Sequence, residues 1–117
     1  DDVLRVIGDK IHTVTKDIGA PCVVEVSDIS FVASTKFDRK IIDVISDAAK
    51  RLDYDHIIMP SGAGHDAMHM SSICRTGMIF IPCLRGVSHN EAESATPRDL
   101  ASGTRVLADT IVQCANE

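Results

Sequence analysis

The stretch that decides the fold is residues 56–67, HIIMPSGAGHDA, in which a short apolar run leads directly into a glycine-rich turn. Residues 56–59 have the composition of a strand that is buried on both faces of a parallel sheet. The small residues 62–64 allow a backbone to approach a ligand closely, and the helix start predicted at Asp66 offers free N–H groups to an anion. The alternative stays open, because such a turn often needs glycine for its geometry alone.

A second polar turn comes shortly after the next apolar run. Residues 77–82, GMIFIP, predict another buried strand, and residues 86–90, GVSHN, lie just beyond it. Loops at the carboxyl ends of neighbouring parallel strands meet at one crevice of an α/β sheet. We therefore expect both turns to face one ligand.

Helical and strand-like patterns alternate along the rest of the chain. Apolar residues recur at three- and four-residue intervals in three predicted long helices, over residues 2–18, 35–52 and 97–115. Their expected N-terminal caps are Asp2, Ser34 or Thr35, and Thr96. Residues 66–72 predict a short helix, residues 84–95 a polar loop, and residues 22–26 and 29–32 two short strands or one bent strand. This order of elements indicates an α/β fold.

Composition excludes several classes of function. The chain has 117 residues, enough for one domain, and a net charge of −5 with its Lys and Arg residues scattered singly. It therefore has no basic stripe for nucleic acid. No apolar run approaches the length of a membrane span and no signal-peptide pattern is present, so we expect a cytoplasmic protein without membrane contact.

The four cysteines are far apart in the sequence and form no C-x-x-C pair. They are Cys22, Cys74, Cys83 and Cys114. Two disulfides are the alternative, but small disulfide scaffolds carry denser cysteine and fewer regular elements. We expect four reduced thiols that mostly fill the core.

Several polar residues invite a catalytic interpretation. His65 and His69 stand four apart on a predicted helix, with Cys74 nearby, but the glutamate that usually accompanies such a zinc pair is absent. Ser61 follows a predicted strand without the G-x-S-x-G pattern of a nucleophile elbow. His89 lies in a polar loop with acidic neighbours, either as a surface histidine or as a metal ligand that carboxylates orient.

Three ordered motifs carry a family resemblance. They are SGAGHDA at residues 61–67, TGMIFIP at 76–82 and GVSHNEAE at 86–93. Together they closely resemble the C-terminal part of the hydantoinase/carbamoylase group of dinuclear-metal amidohydrolases, relatives of the zinc-dependent aminopeptidases. The resemblance implies that residues 34–117 are the C-terminal part of a zinc-exopeptidase-like α/β catalytic domain. Residues 1–33 would be the closing helix and strand of an α+β lid, or dimerisation, domain.

The resemblance also implies roles for single residues. His89 matches the last metal-ligand histidine of the family, and Gly62 and Ala63 match a loop whose backbone contacts substrate. Site-shaping roles fall to His65, Asp66 and Glu93. Arg75 and Glu91 replace the usual prolines and Cys83 a common serine, which leaves the preferred substrate open.

The chemistry implied by the resemblance is hydrolysis of the C–N bond of a small ureido or carbamoyl substrate, such as allantoate or an N-carbamoyl amino acid, with release of ammonia. Two divalent ions, zinc or manganese, would activate the water and stabilise the oxyanion. Family members are several times longer, and their other metal ligands and general base belong to the N-terminal part missing here. We expect this chain alone to be inactive and to bind no metal stably, and its parent to form a homodimer through the lid.

A competing hypothesis from another class is a stand-alone α/β domain that binds an anion or a protein partner without catalysis. Its anion would lie at the turn of residues 62–64.

Overall fold

The computed structural model describes residues 2–18, 21–27, 29–30 and 32–116. The chain divides into two compact units, Asp1–Thr35 and Lys36–Glu117. Each unit is considered by itself below.

The first unit consists of helix α1, Asp2–Lys16, and the segment that follows it. The helix agrees with the prediction from periodicity, but none of its residues is buried. Its apolar side chains remain exposed, among them Val3 at 70% and Val14 at 63%. This face has no packed core beneath it in the described part of the chain.

The strands predicted over residues 22–26 and 29–32 are wrong for the residues that the structure describes. Residues 22–26, 29, 30 and 32 carry no strand, and Phe31 lies outside the described residues. The physical reason is that a strand requires a neighbouring strand to bond with, and composition alone provides none.

The second unit begins with helix α2, Arg39–Arg51. Its cap is Asp38, whose side chain accepts the N–H of Ile41 at 3.1 Å, so the predicted caps Ser34 and Thr35 are wrong. The backbone N–H of Asp38 donates to the carbonyl of Thr76 at 3.0 Å. This tertiary contact fixes the cap close to the chain segment that precedes Gly77.

The last helix, α4, runs over Pro97–Ala115 and agrees with the sequence prediction. Thr96 caps it by accepting the N–H of Asp99 at 3.1 Å, and Pro97 occupies the first turn, where a missing N–H costs nothing. Its cap and first turn are set by neighbours in sequence, which explains why they were predictable.

Helices α2 and α4 pack against each other and form the core of the second unit. Its buried apolar residues are Ala48, Ala49 and Val106, which are 0%, 4% and 6% exposed. Ile45, Leu52, Tyr54 and Ile79 pack around them. An ion pair between Arg51 and Asp109, 2.6 Å apart, joins the two helices at the surface.

Two segments predicted as buried strands contain no strand in the described structure. Residues 56–59 and 77–82 form no backbone hydrogen-bond ladder with each other or with another described segment. Ile57, Ile58 and Met59 are 78%, 57% and 58% exposed. The predicted sheet is therefore absent from the described part of this chain, because each segment lacks a partner strand.

Short helical elements connect these segments. Helix α3, Asp66–Met70, agrees with the short helix predicted there. A 3-10 turn, Leu84–Gly86, lies within the predicted polar loop. Among the described residues, each helix is too short or too polar to span a lipid bilayer.

Candidate functional site

The candidate residues lie on two loops of the second unit, except for Asp66, which lies in the first turn of α3. The first, residues 60–65, leads into α3 and is called the glycine loop. The second, residues 86–93, follows the 3-10 turn and is called the His89 loop. No hydrogen bond or ion pair joins the two loops among the residues that the structure describes. Their convergence on one ligand therefore stays a prediction.

The His89 loop is held by the carboxylate of Glu93. Glu93 Oε2 accepts the backbone N–H of His89 at 2.9 Å, and Glu93 donates its own N–H to the carbonyl of Asn90 at 2.9 Å. His89 has a left-handed φ of 56°, a conformation that is uncommon outside glycine and needs support from its surroundings. The bond from Glu93 is one such support.

Side chains inside the His89 loop tighten it further. The Asn90 side-chain oxygen accepts the N–H of Ala92 at 2.9 Å, which is an Asx turn. At the base of the loop Leu84 donates its N–H to the carbonyl of Ser94 at 2.7 Å. The loop is thus closed by hydrogen bonds although its side chains are largely exposed.

Cys83 contacts the other oxygen of the Glu93 carboxylate. Its Sγ donates to Oε1 at 3.6 Å. Burial raises the pKa of the Cys83 thiol, and the hydrogen bond and negative charge of Glu93 raise it further. At a given pH, Cys83 therefore carries less thiolate than an ordinary cysteine and is a weaker nucleophile.

The glycine loop contains a serine–histidine pair. Ser61 Oγ lies 2.7 Å from His65 Nε2 and accepts the backbone N–H of Ala63 at 3.2 Å. The ring of His65 meets Phe80 edge-on, with centroids 5.4 Å apart and planes at 60°. The glycine loop therefore contacts the segment of residues 77–82 through Phe80.

Gly62 and Gly64 have neither of the usual structural reasons to be glycine. A Cβ added at either position would meet no atom within 4 Å. Among the described glycines only Gly86 has a positive φ, at 70°. Local geometry in this chain accordingly tolerates a side chain at both loop positions.

His65 is the N-cap of α3 but makes no side-chain capping bond, because its ring is engaged by Ser61 and Phe80. Asp66 occupies the first turn of the helix and is exposed. Helix α3 has five residues, so its dipole is small.

The part of the chain that the structure describes contains no group of three or more His, Cys, Asp or Glu residues arranged to hold a metal. His65, His69 and Cys74 accordingly do not form a three-ligand zinc site. All four cysteines are free thiols, and Cys22, Cys74 and Cys114 are exposed. The prediction that they mostly fill the core is wrong: the segment that contains Cys22 has no partner strand to bury it, and Cys74 and Cys114 lie at exposed positions just after α3 and on α4.

Two contacts at the loops were not predicted from the sequence. The link from Cys83 to Glu93 joins residues ten apart, for which no periodic pattern gives a signal. The Ser61–His65 pair does have a sequence signal, since the two residues stand four apart on either side of a glycine turn.

Comparison with known proteins decides the family. Residues 4–113 match the family described as peptidase family M20/M25/M40. The chain belongs to peptidase family M20. Its relationship to the hydantoinase/carbamoylase amidohydrolases, predicted from the three motifs, is confirmed.

Relatives of this M20 chain carry amidohydrolase names. An N-carbamoyl-L-amino-acid amidohydrolase of Rhizobium meliloti is 36% identical over 98 residues, which are 84% of this chain and 23% of that protein. A ureidoglycolate hydrolase of Oryza sativa subsp. japonica is 45% identical over 71 residues, or 61% of this chain and 15% of that protein. The M20 chain thus spans less than a quarter of the length of either relative.

A solved structure resembles the M20 chain in fold as well as sequence. It is an amidase of the hydantoinase/carbamoylase family from Burkholderia vietnamiensis, with a TM-score of 0.73 and 38% sequence identity. The alignment covers 78% of this chain and 22% of that one. The M20 chain therefore has the fold of part of a hydantoinase/carbamoylase-type enzyme.

Proposed function

We propose that this chain is part of a metal-dependent amidohydrolase that hydrolyses the C–N bond of a ureido or carbamoyl substrate and releases ammonia. The observation that carries the proposal is the set of three ordered motifs within a chain that matches the M20 family over residues 4–113. The names of the relatives from Rhizobium meliloti and Oryza sativa agree with such chemistry. Candidate substrates are N-carbamoyl amino acids and allantoate.

Within this enzyme, residues 34–117 belong to the metal-binding catalytic domain and residues 1–33 to the lid. The exposed apolar side of α1 supports the second assignment, because such a face is stable in water only when other chain segments cover it. The parent enzyme forms a homodimer through the lid.

His89 is the metal ligand that this chain contributes. Its backbone is fixed by Glu93, which limits the positions open to the imidazole and supports a ligand role. A catalytic zinc ordinarily takes three protein ligands. The described residues alone do not fit a dinuclear centre, so its remaining ligands and the general base belong to other parts of the enzyme.

The backbone at Gly62 and Ala63 binds substrate. A Cβ at Gly62 would point into open space, so neither crowding nor a left-handed backbone requires glycine there. Glycine is then explained by close approach of a molecule outside this chain. His65 and Asp66 shape this loop, and Glu93 shapes the one that carries His89.

The test is ammonia release by the longer polypeptide that carries this chain, assayed with zinc or manganese on allantoate and N-carbamoyl-L-amino acids. His89→Ala should lower kcat/KM by at least about 100-fold, because an incomplete metal site loses both the nucleophile and oxyanion stabilisation. His69→Ala is the matched control and should keep its activity, since His69 is exposed and makes no side-chain hydrogen bond in the described structure. Absence of turnover in the unmodified polypeptide would favour the non-catalytic anion-binding alternative.

A further inference from the structure

The hydroxyl of Ser61 has two neighbours, and together they define the direction of its proton. Oγ accepts the N–H of Ala63 at 3.2 Å, which occupies one of its lone pairs. Its second neighbour is His65 Nε2 at 2.7 Å. That separation is typical of a hydrogen bond in which a hydroxyl donates, and shorter than most bonds that an N–H donates to oxygen.

We infer that Ser61 donates its proton to His65 Nε2 and so holds His65 in the Nδ1–H tautomer, which donates a hydrogen bond to a carbonyl or carboxylate oxygen of the substrate. Ser61 is then a positioning residue that acts through His65. The inference rests on the proposed function, because it adds a side-chain donor to the backbone of the glycine loop.

The geometry around the ring supports this role. Phe80 contacts the imidazole edge-on and Ser61 holds one of its nitrogens, so the ring is restrained at two points. Among the described residues Nδ1 has no hydrogen-bond partner, although the ring is half-buried. In a neutral imidazole one nitrogen accepts and the other donates a hydrogen bond. Because Nε2 accepts from Ser61, the Nδ1–H group is free to donate. Both a ureido carbonyl and a carboxylate can accept that bond.

Four variants of the longer polypeptide separate this role from a purely structural one. Ser61→Ala removes the donor to Nε2, whereas Ser61→Thr keeps a hydroxyl at the same position. His65→Asn places an amide nitrogen near the position of Nδ1, and His65→Gln places one near the position of Nε2. The pair of histidine variants therefore reports which ring nitrogen carries the functional proton.

We expect Ser61→Ala and His65→Gln to raise KM by about threefold to tenfold with a smaller change in kcat, the effect of losing one well-placed hydrogen bond. Ser61→Thr should remain within about threefold of the unmodified enzyme, and His65→Asn should raise KM less than His65→Gln does. A KM for Ser61→Ala equal to that of the unmodified enzyme, or better rescue by His65→Gln than by His65→Asn, would overturn the inference.

Nitrogen-15 NMR of histidine-labelled protein tests the tautomer without any need for activity. The spectra are recorded at about pH 8. The His65 signals, assigned by their loss in His65→Asn, should show a protonated Nδ1 and an unprotonated Nε2, and Ser61→Ala should abolish that preference. A protonated Nε2 in the unmodified protein would refute the inference while leaving the proposed hydrolysis intact. If the unmodified polypeptide shows no hydrolysis but NMR shows a protonated Nδ1, the proposed contact with substrate is refuted and the Nδ1–H tautomer is confirmed.

Discussion

At the residue scale, the two oxygens of Glu93 connect a thiol and a backbone. Oε1 accepts from Cys83 Sγ, and Oε2 accepts from the N–H of His89, whose φ is left-handed. One carboxylate therefore stabilises an unfavourable backbone conformation and also adds to the effect of burial in raising the pKa of the neighbouring thiol. The charge state of Cys83 reports whether this arrangement is intact.

We predict that Glu93→Gln makes Cys83 more reactive. Burial and the Glu93 carboxylate raise the pKa of the thiol, so at a given pH it contains less thiolate than an ordinary cysteine. Removing the negative charge lowers this pKa, and the midpoint of the pH–rate profile for alkylation should move to lower pH. Iodoacetamide labelling followed by mass spectrometry measures the rate at each cysteine.

Cys74 is the internal control for this experiment. Its thiol contacts the carbonyl of Met70 and the hydroxyl of Thr76, far in sequence from Glu93, so its labelling rate should not change. An unaltered or slower rate at Cys83 in Glu93→Gln would contradict the contact.

At the element scale, the packing of α4 depends on a glycine within the helix. Gly103 lies so close to Ile81 that an added Cβ would clash with its Cγ2 methyl. That methyl belongs to a β-branched side chain with little rotational freedom, so it cannot simply turn away. Ile81 and Gly103 thereby set how closely the segment of residues 77–82 approaches α4.

Gly103→Ala should destabilise the chain despite the better helix propensity of alanine. The propensity gain is about 1 kcal/mol, whereas overpacking costs about 1–3 kcal/mol, so the net loss of unfolding free energy should be about 1 kcal/mol and at most about 2 kcal/mol. Urea unfolding monitored by circular dichroism gives the difference from the midpoint at constant m-value.

Gly62→Ala is the matched comparison, because the same added methyl meets nothing within 4 Å. Its unfolding free energy should stay within about 0.5 kcal/mol of the parent, while in the longer polypeptide it should raise KM. Equal losses of unfolding free energy in both variants would show that the close contact between Gly103 and Ile81 does not cause the destabilisation.

At the scale of the whole molecule, two apolar segments have no backbone partners among the residues that the structure describes. Residues 56–59 and 77–82 have strand-like composition, yet they form no ladder in the described part of the chain, and Ile57 is 78% exposed. Such segments are stable in water when another strand satisfies their N–H and C=O groups. We propose that the longer polypeptide supplies those strands.

Hydrogen exchange tests this proposal. Amides of residues 57–59 and 78–81 should exchange rapidly in the 117-residue chain and slowly in the longer polypeptide, since pairing protects them. Amides of residues 106–110 in α4 should be protected in both and serve as the control. Rapid exchange of both segments in the longer polypeptide would rule out strand pairing.

The 117-residue chain alone should be catalytically inactive and should bind zinc or manganese weakly. In the proposed enzyme it contributes only His89 to a site that needs several ligands for two cations, and the described residues contain no cluster of His, Cys, Asp or Glu that could replace the other ligands. Metal titration followed by an assay of ammonia release from allantoate and N-carbamoyl amino acids measures both properties. Robust turnover that disappears in His89→Ala would show that this chain carries a complete active site.

What the sequence by itself determined is local in origin. The periodicity of α1 and α2, the cap and first turn of α4, and the short helix at Asp66 depend on residues within a few positions of each other. The three motifs likewise identified the family, because their residues and order are read directly from the chain.

The tertiary structure decided the features that depend on distant partners. Asp38 caps α2 in a segment tied to Thr76, Cys83 pairs with Glu93, and α2 packs against α4 through residues far apart in sequence. The strand predictions were wrong for the same reason, because each predicted strand depends on a partner segment that is distant in sequence. A helix satisfies its hydrogen bonds within one segment, whereas a strand takes them from another segment, so strand-like composition becomes a sheet only where a partner is present.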